Sequence, residues 1–348
     1  MGQEAFGEVN MVTKKLRKAA AGTPIFFLLL LLLLLLAGTE KSGLTAEGKS
    51  NSTGVGPEVV LHLGWGAGPV EAGRREAQES APEGPMSFAV TAGGDIYLLD
   101  QVNLRLLKFD GSGALLSAIP LSSDVFQDIE VAGDGRILLL DRLVRGAVVV
   151  LSRDGLEIAA HPVTGQWIPE GGGITGMFLE DDGLWIEYNH ERVVRLLDGS
   201  LNRCEETVLV GRKSGTAGVT VAAALAGQGM VRLKMIAGAT GATVAEKEID
   251  FGQDLYRIAW VQGDAQGSIH TMVHMLQGAG QAGQTPPTEK VVAYRMDGKL
   301  VRTGSFESPY TIQVWEQFRE FRVLAGGQVY QMAFSGDGVR ILRWRYEP

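Results

Sequence analysis

Alternating apolar and polar residues between Gly94 and Asp110 predict two β-strands joined by a tight turn. Apolar side chains recur at every second position around Ile96 and Leu106, whereas the segment from Asp100 to Asn103 contains residue types that favour turns. A single hairpin is only marginally stable in water. A chain that repeats this unit is therefore expected to stack the copies or to close them into a ring.

The pattern recurs in six copies, each with a first strand, a turn that contains glycine, and a second strand. The first strands are recognised by pairs of apolar or small residues: Phe88 and Val90, Ile129 and Val131, Met177 and Leu179, Ala223 and Leu225, Ala259 and Val261, and Phe321 and Val323. Successive copies lie between 36 residues (Ala223 to Ala259) and 62 residues (Ala259 to Phe321) apart. This interval is close to the roughly 40–50 residues of a four-stranded propeller blade.

The spacing predicts an all-β fold, a six-bladed β-propeller over residues 58–348. The fourth copy is the weakest, because the segment from Val219 to Asp250 has room for three strands rather than four. The last copy ends after its third strand, while a spare strand, Val59 to Leu63, precedes the first copy. We expect this N-terminal strand to complete the last blade and to close the ring, since closure removes an exposed sheet edge.

The first copy resembles the NHL repeat. The residues that match are Gly94, Ile96, Tyr97, Asp100, Asn103, Arg105 and Phe109. The second copy keeps Gly135, Ile137 and Asp141, and the later copies keep little beyond the apolar columns. The resemblance implies a propeller with a central channel. Members of that family mostly bind proteins or RNA, and a few are lyases that use a metal in the channel. Six-bladed propellers with YWTD-type or lactonase-type repeats are alternatives.

A structural role explains the polar residues of this motif without any ligand. Asp100, Asn103 and Arg105 are placed to satisfy backbone groups of the turn and to bridge neighbouring strands, as buried polar groups must. We expect them to stabilise the fold.

The N-terminal region combines a basic cluster, Lys14 to Lys18, with thirteen consecutive apolar residues, Ile25 to Ala37. As a helix, the apolar run reaches about 20 Å, shorter than the roughly 30 Å hydrocarbon core of a bilayer, which favours a cleaved signal peptide. The uncharged stretch of residues 19–39 is just long enough to be a transmembrane helix, so a signal anchor is the alternative. Both interpretations leave residues 1–18 in the cytoplasm and place the residues after 40 outside it, whether periplasmic, at the cell surface or secreted. Residues 40–57 are predicted to be a disordered linker.

Net charge and composition exclude several functional classes. The formal charge of −8 disfavours general binding to nucleic-acid phosphates. The single cysteine, Cys204, excludes an intramolecular disulfide. His270 and His274 have the spacing of a helical metal motif, but on a strand they lie ~13 Å apart. We therefore predict no metal site, no cofactor and no catalytic residues, because the repeat register brings together no nucleophile, base and acid.

Charged residues on the predicted first strands are candidates for a ligand site at the mouth of the channel. They are Asp128, Glu130, Arg257, Glu320 and Arg322. Charges that line a channel must be solvated or paired, so the alternatives are a structural ion cluster and a site for a small polar ligand or cation. A partner-binding loop is predicted separately between Glu307 and Gln317, where Tyr310 and Trp315 provide aromatic anchors.

These features predict an extracytoplasmic propeller that is a non-catalytic scaffold for protein partners or small ligands. No nucleic-acid partner is expected, and membrane contact is expected only through the N-terminal segment. A channel-site enzyme of the lyase or lactonase type is one alternative, and a membrane-tethered sensor or assembly factor is another. The sequence leaves the oligomeric state open.

Overall fold

A computed structural model of the chain describes residues 57–76, 78, 81–214, 218–275, 288–295, 300–307 and 317–344. The predicted cytoplasmic flank, the export or anchor segment at residues 19–39, and the linker up to residue 56 lie outside these residues. In the part of the chain that the structure describes, no helix has the length and the hydropathy needed to cross a membrane.

The described residues form β-strands and two short 3-10 helices, Gln101–Asn103 and Gly171–Gly173. Two strands precede the first sheet: β1 (Glu58–Trp65) and β2 (Glu71–Ala72). The first sheet comprises β3 (Ser87–Val90), β4 (Ile96–Asp100), β5 (Arg105–Phe109) and β6 (Leu115–Pro120). The second comprises β7 (Asp128–Val131), β8 (Ile137–Asp141), β9 (Ala147–Leu151) and β10 (Glu157–Pro162). The third comprises β11 (Ile174–Glu180), β12 (Gly183–Tyr188), β13 (Arg192–Asp198) and β14 (Arg203–Val210).

The second half of the chain repeats this arrangement. The fourth sheet comprises β15 (Arg212–Lys213), β16 (Val219–Gly227), β17 (Met230–Ala237) and β18 (Ala242–Asp250). The fifth comprises β19 (Leu255–Gly263), β20 (Ser268–Met275), β21 (Thr288–Arg295) and β22 (Leu300–Glu307). The sixth contains β23 (Phe321–Val323), β24 (Val329–Ser335) and β25 (Gly338–Arg343), which are followed across the sheet by β1 and β2.

First strands of successive sheets lie side by side around a common centre. Strand β3 contacts β7, β7 contacts β11, and β19 contacts both β15 and β23. The segment before the sixth sheet contacts the segment before the first sheet: the N–H of Phe318 donates to the carbonyl of Met86 at 3.0 Å. Within each sheet the strands from β3 onward pair antiparallel with their neighbours in sequence order. The architecture is an all-β propeller.

Strand β1 joins the two ends of the described chain. It pairs antiparallel with β25, so that Glu58 lies opposite Arg343 and Leu63 lies opposite Val339. Leu61 is buried by this pairing, as is Leu63. The pairing of the spare N-terminal strand with the third strand of the last sheet is confirmed. Each buried leucine contributes about 1.5–3 kcal/mol relative to an exposed one.

Apolar clusters fill the spaces between neighbouring sheets. Leu99 of the first sheet and Leu139 of the second belong to one cluster, and Leu140 and Ile186 belong to the next cluster along the chain. Further clusters join the first sheet to the sixth, the fourth to the fifth, and the fifth to the sixth. The apolar columns detected in the sequence are therefore the side chains that hold adjacent sheets together.

The fourth sheet differs from the sequence-based prediction. The strand order is β15-β16-β17-β18. The alignment of Ala223 and Leu225 with first strands is therefore wrong, because these residues lie on the second strand of their sheet. The first strand is reduced to Arg212 and Lys213, which have no apolar column to detect. Lys213 is nevertheless buried, and its Nζ lies 2.8 Å from a carboxylate oxygen of Glu180 at the end of β11.

Candidate functional site

Four charged side chains form a buried ion group near the start of the first strands, here called the central cluster. It consists of Asp128 and Glu130 on β7, Arg322 on β23, and Arg319 just before β23. Asp128 is completely buried. Its Oδ1 accepts hydrogen bonds from the hydroxyl of Ser87 at 2.6 Å and from Nε of Arg319 at 2.9 Å. Three of the five charges of the predicted ligand site are thus paired within this cluster.

Arg319 links three sheets through one side chain. Its Nη2 donates both to Oδ2 of Asp128 and, at 2.5 Å, to the carbonyl of Met177 on β11. Its guanidinium also lies 4.9 Å from the ring centre of Phe178. The sequence analysis missed Arg319, because this residue precedes its strand and belongs to no repeated column. A signal was available in the close spacing of two arginines, Arg319 and Arg322, around the acidic Glu320.

Arg322 ties the sixth sheet to the first two sheets. Its Nε donates to the carbonyl of Phe88 on β3, and its Nη2 donates to the carbonyl of Ile129 on β7. The remaining nitrogen, Nη1, donates to Oε1 of Glu130 at 2.7 Å. Because every nitrogen of this guanidinium donates to a protein oxygen, Arg322 has little capacity left for an external ligand.

Electrostatics of the central cluster depend on burial and ion pairing together. Burial opposes ionisation of Asp128, but the Arg319 guanidinium outweighs it and holds the pKa of Asp128 below its usual range. Burial raises the pKa of Glu130, and the attraction of Arg322 offsets this only in part. The pKa of Arg319 lies above its ordinary value, since Asp128 overcomes the effect of burial. These shifts are typical of a structural ion cluster.

Arg257 and Glu320 form a second and looser group at the start of β19 and β23. Nη2 of Arg257 lies 3.7 Å from Oε2 of Glu320, and the Arg257 side chain is 47% exposed. Nε of Arg257 donates to Nδ1 of the buried His274 at 3.3 Å. Burial raises the pKa of Glu320, whereas burial and then the charge of Arg257 lower the pKa of His274 to about 4. Of the predicted ligand residues, this pair keeps the most solvent contact.

Asp100, Asn103 and Arg105 make the structural contacts that the sequence predicted. Oδ2 of Asp100 accepts from Nδ2 of Asn103 and from Nε of Arg105, each at 2.9 Å. Asn103 also donates to the carbonyl of Gly66 at 2.9 Å, and Arg105 donates to the carbonyl of Gly68 at 2.8 Å. The turn after β4 is therefore fixed to the connection that follows β1.

The histidines lie on strands or in a turn, and His270 and His274 share a strand, as the sequence predicted. His62 lies on β1, His161 on β10 and His190 in the turn after β12, while His270 and His274 lie on β20. Nε2 of His270 is 2.8 Å from a carboxylate oxygen of the buried Asp264. The described residues contain no group of three or more His, Cys, Asp or Glu side chains placed to hold a metal ion.

A buried carboxylate organises the turn after β12. Oε1 of Glu187 lies 2.5 Å from Nδ1 of His190, and Oε2 accepts from Nε of Arg212 at 3.1 Å. Burial opposes ionisation of Glu187, but Arg212 and His190 together lower its pKa to about 2. Glu187 thus fixes its turn to the start of the fourth sheet.

Leu143 and Val144 are exposed in the turn after β8, and Trp167 is exposed in the connection after β10, whose two ends contact that turn; these three residues are here called the turn patch. Leu143 is 60% exposed, Val144 is 71% exposed and Trp167 is 37% exposed. The connection that carries Trp167 begins where the N–H of Val163 donates to the carbonyl of Gly146 at 2.8 Å. It returns at Gly171, which packs so closely on the carbonyl of Arg142 that a Cβ would collide with it.

The predicted partner-binding residues Tyr310 and Trp315 lie outside the described residues. Their role in partner binding therefore stays a prediction. The same holds for the glycine-rich connection between β20 and β21.

Sequence comparisons yield no relative, since no protein-family model and no curated protein sequence matches the chain. Similar folds are found among solved structures. Hydrazine synthase of Kuenenia stuttgartiensis is 11% identical with a TM-score of 0.47, and the match covers 74% of this chain and 76% of that chain. The Pan2 WD40 domain of Neurospora crassa is 10% identical with a TM-score of 0.47, covering 85% of this chain and 98% of that one. Virginiamycin B lyase of Staphylococcus aureus is 9% identical with a TM-score of 0.41, covering 79% and 99%. Likeness at this level has no bearing on function.

Proposed function

We propose that the six sheets are the blades of a closed, NHL-like six-bladed propeller, and that the protein is a non-catalytic scaffold for protein partners outside the cytoplasm. The extracytoplasmic placement is supported by the basic and apolar N-terminal sequence. The scaffold role is supported mainly by the turn patch. Because fold alone does not fix function, the proposal depends on that surface and on the hydrogen bonds that the charged side chains of the central cluster make.

The turn patch has the composition of a protein-binding surface. Exposing large apolar side chains to water is unfavourable, and tryptophan is enriched among the residues that dominate interface affinity. The patch is also held rigidly. Oδ1 of Asp141 accepts from the N–H of Val144 at 2.9 Å, and Oδ2 accepts from the N–H of Arg145 at 3.0 Å. A rigid apolar turn binds with little loss of conformational entropy.

Inner charges support a scaffold more than a channel-site enzyme. Asp128 and Arg322 have their hydrogen-bonding groups directed to protein partners, so little remains to polarise or protonate a substrate. The lyase or lactonase alternative would have to use the looser pair of Arg257 and Glu320, which also remains the candidate site for a small ligand. The sensor or assembly-factor alternative uses the same extracytoplasmic placement and differs only in what the partner does.

Site-specific photo-crosslinking in cells that export the protein tests the scaffold proposal. A photoreactive amino acid replaces Val144 in the turn patch, and a matched variant carries it at Leu156, an exposed apolar residue in another turn of the same sheet. We expect a discrete crosslinked protein from position 144 and none from position 156. Equal crosslinking at the two positions, or none from position 144, would contradict the proposal.

A pair of double substitutions provides the affinity control. Val144→Ser with Trp167→Ser is expected to abolish capture of the crosslinked partner, while Leu156→Ser with Ile158→Ser leaves it unchanged. All four side chains are exposed, so each variant is expected to melt within a few degrees of the wild type.

A further inference from the structure

Strand β16 has an edge that only a short segment of the chain covers. It pairs with β17 from Val219 to Gly227. On the opposite edge, β15 pairs only with Thr220 and Val221. Among the described residues, no strand pairs with residues 222–227 on that side. An unpaired row of backbone N–H and C=O groups is a template for another extended chain.

The direction of the backbone groups on this edge follows from two contacts near the start of β16. The carbonyl of Val219 accepts from the hydroxyl of Ser214 at 2.5 Å, and the carbonyl of Val221 lies beside Gly211. Both carbonyls point away from β17. Because alternate residues of a strand direct their backbone groups to the same edge, the N–H and C=O groups of Ala223 and Leu225 face the open side.

Small and exposed side chains leave this edge accessible. Ala224 and Gly227 are exposed, and Leu225 is 49% exposed. On one face of the sheet, Ala222 lies opposite Lys234 and Ala224 lies opposite Arg232. On the other face, Ala223 packs against the apolar cluster between the fourth and fifth sheets. Apart from Leu225, a chain added here meets only alanine and glycine residues on the strand that it would pair with.

Charges beside the open edge are already balanced. Nη2 of Arg232 is 2.7 Å from Glu248, and Nζ of Lys234 is 3.7 Å from Glu246. The edge therefore exerts no strong preference for a charged ligand, and the exposed Leu225 favours an apolar neighbour. The remaining groups to be satisfied are those of the backbone, and an extended polypeptide is the ligand that matches their spacing.

We propose that residues 222–227 of β16 bind an extended segment of a partner protein, which adds to the fourth sheet as a strand. The bound segment alternates apolar residues, which lie beside Leu225 and the apolar cluster, with polar residues on the face of Arg232 and Lys234. This inference deepens the proposed scaffold function, because it states how a partner is held and at which blade. It depends on the proposed scaffold function only in assuming that a partner protein exists.

A displayed library of short random peptides, selected on the intact chain, tests the proposal. We expect selected peptides to show the alternating pattern and to lose binding when alternate peptide bonds are N-methylated. Ala223→Pro removes an N–H from the open edge only, since proline is tolerated where the N–H is unpaired. It is expected to weaken binding at least about tenfold. Leu156→Ser, on a different sheet, is the control and leaves the affinity unchanged.

Hydrogen exchange of the wild-type chain provides a readout that needs no variant. The amides of Ala223 and Leu225 are expected to exchange fast in the free protein and at least about tenfold more slowly with a selected peptide. The amides of Ala222 and Ala224, which face β17, are expected to be protected in both states. A failed selection, wild-type affinity of Ala223→Pro, or unchanged exchange at Ala223 would overturn the proposal. Crosslinking from Val144 is a separate measurement, so its failure counts against the scaffold function and not against this edge.

Discussion

Asp128 is the residue on which the first strands of several sheets converge. Its carboxylate contacts Ser87 of the first sheet, the N–H of Met177 of the third, and Arg319 of the sixth. Taking a carboxylate and a guanidinium out of water is costly, and their attraction compensates only when the remaining lone pairs and N–H groups are also satisfied. The contacts of Asp128 meet that condition. We therefore expect the buried pair to specify how the sheets are arranged more than it adds net stability.

Replacing Arg319 by methionine is expected to lower the free energy of unfolding by about 3–5 kcal/mol, because Asp128 would stay buried without its charge partner. Urea denaturation of the two proteins measures the difference. Arg136→Gln is the matched control. Arg136 pairs with Asp134 on the surface, so its replacement is expected to cost under about 1 kcal/mol. Similar losses for the two variants would show that the central cluster is not structurally important.

His274 gives a prediction about pH. Burial and the charge of Arg257 lower the pKa of His274 to about 4, against about 6.5 in an unfolded chain. The unfolded state therefore binds the proton more readily between these values. The contribution of the neutral His274 ring to the free energy of unfolding is complete above about pH 6.5. It is lost as the pH falls towards 4, which lowers the stability by up to about 3 kcal/mol.

Nuclear magnetic resonance titration of the His274 ring checks this directly. In Arg257→Gln we expect a higher pKa for His274 than in the wild type, yet one still below 6.5, because burial remains. His161, on β10 of a different sheet, is the internal reference: burial lowers its pKa, and that pKa is expected to be the same in both proteins. A His274 pKa that does not move with Arg257→Gln would refute the contact between the two side chains.

Sequence analysis could identify Asp128, Glu130 and Arg322 because they stand in columns that are apolar in the other repeats. It could not show that these three residues belong to a buried ion cluster whereas Arg257 and Glu320 form a more exposed pair. The difference lies in long-range geometry, since Arg322 reaches across two sheets while Arg257 contacts its own sheet and the next. Arg319 was missed because side chains in connections carry no periodic signal. Pairing partners of buried charges thus depend on tertiary structure.

At the scale of elements, the repeat predicted the strand order wherever the apolar columns were intact. Strand β8, Ile137–Asp141, is buried throughout and was recognised as the apolar run that follows a turn containing glycine. The fourth sheet departs from this pattern. First and second strands share one apolar pattern, so a first strand shortened to Arg212–Lys213 leaves β16 as the apparent first strand.

At the scale of elements, the prediction concerns strand β1. A chain that begins at residue 57 keeps the whole strand and is expected to be as stable as the full protein. A chain that begins at residue 67 loses the buried Leu61 and Leu63, exposes the edge of β25 and removes the Gly66 carbonyl that Asn103 binds. We expect a loss of several kcal/mol, seen as a lower midpoint in urea. Equal midpoints for the two truncated chains would refute closure by β1.

At the scale of the whole molecule, adjacent sheets are held by apolar clusters, and their centre is held by charged side chains. The sixth sheet supplies Arg319 and Arg322, which contact the first three sheets. The same sheet receives β1 from the other end of the chain. The last sheet of the propeller is therefore contacted by distant parts of the chain at both its outer edge and its centre. Such long-range pairing between distant segments is typical of a closed β-structure.

The placement of the molecule in the cell is the last prediction. A basic cluster followed by thirteen apolar residues is typical of an export signal. A reporter enzyme that is active only outside the cytoplasm, fused after Pro348, is therefore expected to be active. Removing residues 1–39 is expected to abolish that activity while the fusion is still synthesised, because the propeller residues carry no comparable apolar run.

The mass of the native protein then separates the two N-terminal alternatives. A mature chain that starts between residues 38 and 47 indicates a cleaved signal peptide, whereas an intact chain in the membrane fraction indicates a signal anchor. Replacing the four basic residues between Lys14 and Lys18 by glutamine is the matched test of orientation, since positive flanks are retained in the cytoplasm. It is expected to reduce the reporter activity. Recovery of full-length wild-type protein from the cytoplasm would contradict export and, with it, an extracytoplasmic partner.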